Sequence, residues 1–307
     1  MTGCHAHASH SEKKLRAALM LTLGFMAVEV AGGVLSGSLA LMADAVHMMT
    51  DALALGLALA ATRWARRPAD ARRSFGYGRA ETLAGYTNAV LMAGVVVWIV
   101  VESVHRLIVP PVVDAPLMLG VSIAGLAVNA LVLFILSRGN GQAHHGCHHA
   151  HDVNVRGALL HVAGDFFGSL AAILSAILIL TMGWSIADPV TSLLVAGLVA
   201  VSTVRLMRET GHILLEGVPS RLTPDDIRQT VLTGVPEVTD VHHVHLWALT
   251  PDYVLATLHG RLRESVPADG VSARIKAVLR ETHGVRHVTV ELETGLCADA
   301  GLDCDHV

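Results

Sequence analysis

The chain has 307 residues, of which 52% are hydrophobic and 16% charged, and it carries a formal net charge of −4. Soluble domains hold about a quarter charged residues, so this composition points to a membrane protein and argues against a nucleic-acid partner. Histidine is over-used, at 19 residues against 3 Tyr and 5 Phe, which favours metal binding or pH sensing.

Hydropathy divides the chain. A short Cys/His segment (1–14) leads into a membrane domain (15–208), and a soluble C-terminal domain (209–307) follows. A spanning helix needs about 20 mostly apolar residues. Six stretches qualify: Leu15–Leu35, Leu39–Thr62, Leu83–Val101, Leu117–Leu136, Gly157–Met182 and Ile186–Val204. The apolar run after Lys13 and Lys14 is too long for a signal peptide and lacks a convincing cleavage site. Arginine sets the orientation. Arg63, Arg66, Arg67, Arg72, Arg73 and Arg79 crowd one loop, with Arg138, Arg156, Arg205 and Arg208 on the same side and only Arg106 opposite. Both termini and the His-rich loop (139–152) are therefore expected in the cytoplasm, and the short loops suit a bacterial inner membrane. Cys4, Cys147, Cys297 and Cys304 all fall on that side, where thiols stay reduced.

Two spans carry charge. In span two, His47 and Asp51 are four residues apart, and Asp44 lies three before His47. Span five repeats the spacing with His161 and Asp165. Residues at i and i+4 share a helix face, and a charge at the bilayer centre costs roughly 2.5–3.5 kcal/mol. One such pair could simply hold two helices together. Two matched pairs on two helices instead offer two imidazoles and two carboxylates to one ion, a tetrahedral set that suits Zn²⁺. Asp44 sits nearer the end of the span as an accessory candidate, while Glu29, Asn88 and Asn129 are expected to make interhelical hydrogen bonds.

These residues resemble the cation diffusion facilitators. The likeness rests on Leu41-Met42-Ala43-Asp44-Ala45-x-His47-x-x-x-Asp51, on His161-x-x-x-Asp165, on Asp188-Pro189 opening span six and on His242-His243-Val244-His245-Leu246-Trp247. The paired His-x-x-x-Asp form is similar to the zinc branch. The resemblance implies a homodimer that exports Zn²⁺, with Cd²⁺ or Co²⁺ as further substrates, against protons. It also implies a ferredoxin-like α+β cytoplasmic domain that binds additional zinc. Proton exchange fits the residues, because an imidazole must be neutral to hold a metal.

Further candidates lie outside the spans. The loop offers His144, His145, Cys147, His148, His149 and His151, a tract of the kind that binds metals and is read as a collector. In the C-terminal domain, Thr223 caps a helix over Pro224–Thr233. Strands follow at Val238–Leu249 and Tyr253–Leu262, then a helix at Val271–Thr282 and a strand at Val285–Leu292. That order brings His242, His259, Glu291 and Glu293 towards one another. Cys4, His5 and His7 at one end, and Cys297 and Cys304 at the other, could share a site. A zinc protease would need His-Glu-x-x-His, which is absent. The expectation is a transporter rather than an enzyme, and a zinc sensor or a passive divalent channel are the rival readings.

Overall fold

The computed structural model describes residues 4–137, 149–264, 266–295 and 297, with side chains for 20–132, 134, 166–264, 266–295 and 297. Six long helices come first: α1 (Cys4–Ser36), α2 (Leu39–Ala65), α3 (Arg79–Ile108), α4 (Ala115–Ser137), α5 (His149–Met182) and α6 (Ala187–Leu214). Four segments are long and apolar enough to cross a membrane: Leu39–Ala65, Arg79–Ile108, Ala115–Val132 and Ala187–Leu214. The described parts of the other two, Met20–Ser36 and Phe166–Met182, are apolar but shorter. Along these helices, leucines and valines such as Leu53, Val97, Leu174 and Leu198 face outward. An outward apolar surface of this extent belongs in lipid, where every backbone polar group must bond within its own helix.

The chain forms two compact units. The first holds the residues up to Gly56 together with Asn88–Val204, and the second holds Leu57–Thr87 with Arg205–Val307. In the first unit, small residues set the packing. Ala40 and Leu41 of α2, Met118 of α4, and Ala172 and Ala176 of α5 form one buried cluster. Ala43 of α2 meets Ile99 of α3 and Ala196 of α6 in another. Gly125 of α4 lies against Phe25 and the buried Glu29 of α1, where a Cβ would come within 2.9 Å of Glu29 Oε1. Close backbone approach through small residues is the main route to helix association in lipid.

The second unit carries a small α+β layer. Helix α7 (Pro224–Gly234) leads into β1 (Val238–Thr250) and β2 (Tyr253–Leu262), and α8 (Val271–His283) leads into β3 (His287–Glu293). The sheet order is β1-β2-β3, antiparallel in its first pair and parallel in its second. The parallel pair requires the α8 crossover. Thr223 forms a full capping box with Asp226 at the start of α7. One apolar face of each helix closes the core, with Ile227 and Val231 of α7 and Ile275 and Leu279 of α8 packed on Val241, Val254 and Leu258. The last strand begins two residues later than the sequence pattern implies. Gly284 (φ 67°) ends α8 in the left-handed conformation, and Val285 N–H still bonds to Leu279, so Val285 serves the helix terminus rather than the strand.

Candidate metal sites

Helix α2 starts at a built anchor. The turn before it uses Gly37 at φ 70°, a conformation that suits glycine. The first backbone N–H groups of a helix have no partner within it. Here the fully buried Asp188 of α6 supplies one. Its Oδ2 accepts from Leu39 N at 2.8 Å, and its Oδ1 accepts from Ala40 N at 3.2 Å and Ser38 Oγ at 2.6 Å. Arg106 of α3 reaches the same place. Its Nη1 donates to Gly37 O at 2.6 Å and lies 3.9 Å from Asp188 Oδ2, while its Nε donates to Glu102 at 2.8 Å. In the sequence Arg106 marks only topology and Asp188 only a motif; the signal for their pairing is a lone arginine on the side otherwise free of arginine and an Asp at the start of an apolar span.

From that anchor α2 presents Asp44, His47 and Asp51 on one side. His47 Nε2 and Asp51 Oδ2 are 3.5 Å apart, and both side chains are partly buried. Asp44 is buried, and its Oδ1 lies 3.6 Å from where a Cβ would stand on Gly168 of α5. The α2 carboxylate thus faces a glycine notch in α5. Leu41 shares a buried cluster with Ala172 and Ala176, so α2 and α5 approach each other here with opposite chain directions. Three residues of helix rise about 4.5 Å. The step from Asp44 to His47 and the step from Gly168 back to Asp165 are therefore equal in length, as are the next steps to Asp51 and to His161. The side chains of His161 and Asp165 lie outside those described.

Of the polar groups expected to bond between helices, Asn129 donates to Ser169 at 3.4 Å, joining α4 to α5. Asn88 Oδ1 is buried and has no hydrogen-bond partner among the described residues, so that expectation is not met.

A second constellation comes from strand register. His242 on β1 pairs with His259 on β2, and β3 places Glu291 beside His259 and Glu293 beside Arg261. A bulge between His242 and His245, with His243 at φ 48°, adds an extra residue to β1, and such bulges re-aim side chains. His242 Nε2 lies 3.1 Å from Glu293 Oε2, and His259 Nδ1 lies 3.1 Å from Glu293 Oε1 and 3.6 Å from Cys297 Sγ. One ligand atom from each of His242, His259, Glu293 and Cys297 falls within a 4.8 Å group. Nitrogen, carboxylate and thiolate donors together match the zinc ligand set. Asp240 Oδ2, 3.2 Å from His242 Nδ1, orients that ring from behind. Burial pushes the Glu293 carboxyl pKa up, but the Cys297 thiol, the His259 hydrogen bond and the charges of His242 and His259 outweigh it. The net shift is downward, leaving an anion at neutral pH.

Glu291 stands at the exposed rim, 3.6 Å from His259. The buried Glu293, named beside it in the strand pattern but not chosen as a ligand, is the carboxylate that meets both imidazoles. Cys297, grouped with the terminal candidates in the sequence, lies in this group. Helix α1 begins with Cys4, His5 and His7, and α5 with His149, but those side chains and that of His151 lie outside the described ones, as do residues His144, His145, Cys147, His148 and Cys304.

Comparison with known proteins matches the division of the chain into a helical part and an α+β part. The model of the cation efflux transmembrane domain matches residues 15–215, and that of the cation efflux protein cytoplasmic domain matches residues 219–295. The chain is 42% identical to the zinc transporter ZitB of Pectobacterium atrosepticum, over 96% of its own length and 90% of the relative's. It is 39% identical to ZitB of Escherichia coli, over 99% and 93%. It is 36% identical to a cadmium, cobalt and zinc/H(+)-K(+) antiporter of Bacillus velezensis, over 94% and 91%.

Proposed function

The chain belongs to the cation efflux family, the cation diffusion facilitators, and we propose that it exports zinc from the cytoplasm in exchange for protons. The relatives named as zinc transporters and as a proton-linked antiporter support the substrate and the exchange. The observation that supports the mechanism is the approach of Asp44 to Gly168, from which equal helical steps lead to His47 and Asp165 and then to Asp51 and His161. In this reading His47, Asp51, His161 and Asp165 hold the ion, and Asp44 stands at the outer edge of the site. Zinc and protons compete for the two imidazoles, so release of one accompanies uptake of the other.

Six spans are proposed, α1 and α5 joining the four that qualify by length and composition. The arginine bias puts both termini, the α2–α3 loop and the α+β layer in the cytoplasm of a bacterial inner membrane. The domain limits follow as 1–14, 15–208 and 209–307, with the loop 139–152 as a metal collector. The α-β-β-α-β order of the last part is the βαββαβ order without its first strand, which supports a ferredoxin-like domain. The matched cytoplasmic model is itself named for dimerisation, which supports a homodimer. Cd²⁺ and Co²⁺ are proposed as further substrates from the Bacillus relative's name.

His242, His259, Glu293 and Cys297 are proposed as a resident zinc site. This cluster alone would serve a membrane-bound sensor equally well, so the test must separate transport from binding. Zinc flux into proteoliposomes under an imposed pH gradient is compared for the wild type and Asp51→Ala. The variant should lose more than about a hundredfold, beyond the 10–100-fold typical of losing a group that only orients a ligand, while still binding zinc. Equal flux in both would place the path elsewhere. Binding without flux in either would favour the sensor.

A further inference from the structure

The turn between α2 and α3 is organised beyond what a marker of orientation requires. Asp70 accepts from the backbone N–H of Arg72 at 2.8 Å and of Arg73 at 2.9 Å, and from the Tyr77 hydroxyl at 2.7 Å. The Tyr77 hydroxyl and those amides hold its carboxyl below the ordinary value, so the carboxylate is spent on shaping the turn. Tyr77 in turn stacks on Trp64, with ring centroids 6.3 Å apart, and carries the Arg73 guanidinium 5.0 Å above its ring. Nothing in the positive-inside rule demands fixed geometry; loose arginines would orient the chain as well.

This turn forms one wall of a cleft of about 450 Å³ whose lining includes Arg72, Arg73, Arg79 and Glu216. Arg79 Nη2 donates to Glu216 at 2.8 Å, which cancels the one carboxylate in the lining. Arg79 Nε is buried with no hydrogen-bond partner among the described residues. Among the described residues no carboxylate lies within ion-pair distance of the exposed Arg72 side chain, whose neighbour Asp70 is engaged by the turn's amides and the Tyr77 hydroxyl. The cleft therefore presents excess positive charge and one orphaned donor. Trp64 and Leu83, both about half exposed, border the same cleft at the ends of two apolar helices.

We propose that this cleft binds the phosphate of an anionic phospholipid headgroup. Guanidinium forks match phosphate oxygens, the orphaned Arg79 Nε gains an acceptor, and Trp64 and Leu83 suit the glycerol end of a lipid at the bilayer surface. Free phosphate would satisfy the arginines but not the apolar edge. The proposal rests on the reading that this turn faces the cytoplasmic leaflet.

The test uses the full chain in zwitterionic detergent, titrated with a fluorescent phosphatidylglycerol or with phosphatidylcholine, each with and without inorganic phosphate. Binding of phosphatidylglycerol should fall about thirtyfold in Arg72→Gln/Arg73→Gln, at roughly fivefold for each arginine lost. The charge-matched control Arg63→Gln/Arg66→Gln, outside the cleft lining, should lose less than about threefold, because exposed charges away from the bound phosphate are screened. Arg72→Lys/Arg73→Lys, which keeps the charge, should regain part of the affinity and shows that the turn still folds. Equal losses in the two Gln pairs would mean diffuse surface attraction and overturn the site. So would no loss in either, or equal binding of phosphatidylcholine. Full displacement by inorganic phosphate would overturn the lipid source. Labelling the turn with a membrane-impermeant reagent tests orientation separately, since the detergent titration does not depend on it.

Discussion

The two candidate metal sites are assembled by different rules. In the proposed membrane site, α2 and α5 would each contribute an imidazole and a carboxylate one turn apart, so half of the site lies within five residues of sequence. In the sheet, no strand contributes more than one side chain to the group of His242, His259 and Glu293, and Cys297 arrives from beyond β3. The first site depends on one helix–helix contact, whereas the second depends on two strand registers and a bulge. A local pattern can be read from spacing alone; a register cannot, because a one-residue slip sends every side chain to the other face.

That contrast can be broken most strongly at Asp188. The proposed membrane site needs α2 in place, and Asp188 holds the first turn of α2 together with Ser38 and Arg106. Asp188→Ala leaves the buried Leu39 and Ala40 amides and the Ser38 hydroxyl without their acceptor, and should cost about 3–5 kcal/mol at about 1–3 kcal/mol per orphaned group. Thermal unfolding in detergent would show this as a large fall in midpoint, and an unchanged midpoint would sink the anchor. Cys297→Ser sharpens the comparison from the other side. Zinc affinity at the cytoplasmic site should fall by about tenfold or more, read by chelator competition, while flux through the α2/α5 site persists. Loss of flux in parallel would mean that the two sites are one system.

The smallest effect is expected at Thr223→Ala, which removes an N-cap hydroxyl worth about 1 kcal/mol and touches neither site. Asp226 gives this variant a pH signature. Hydrogen bonds from the Thr223 hydroxyl and its backbone N–H lower the Asp226 pKa below the ordinary value. Its contribution is present above the unfolded carboxyl value near 3.9 and fades as pH falls through the lower folded one. The wild-type advantage over Thr223→Ala should therefore shrink in acid, and an advantage constant from pH 7 to 3 would contradict it.

Much of the fold was legible because its signals are local. The apolar runs and their Gly and Pro breaks mark the helices, and Thr223 with Asp226 marks the start of α7. Where reading fell short, the cause was tertiary. Val285 is apolar enough for a strand but is taken by the end of α8. Glu291 and Glu293 look equivalent on an alternating strand; only the bulge at His243 and the position of Cys297 separate the buried partner from the rim. Arg106 looked like a solitary charge because its partners come from Gly37 and Asp188, remote in sequence.

The Asp188 anchor also has a mechanical consequence. It clamps α2 at Leu39, at one extremity of a rod, while the proposed ion ligands sit further along. At 1.5 Å per residue, His47 is about 12 Å and Asp51 about 18 Å from that fulcrum. A swing of roughly 10° about it would carry Asp51 about 3 Å and His47 about 2 Å. A metal–ligand distance tolerates only about 0.2 Å. The lever is therefore long enough that a small rotation at the clamped end makes or dismantles an ion's coordination, with the more distant carboxylate travelling furthest.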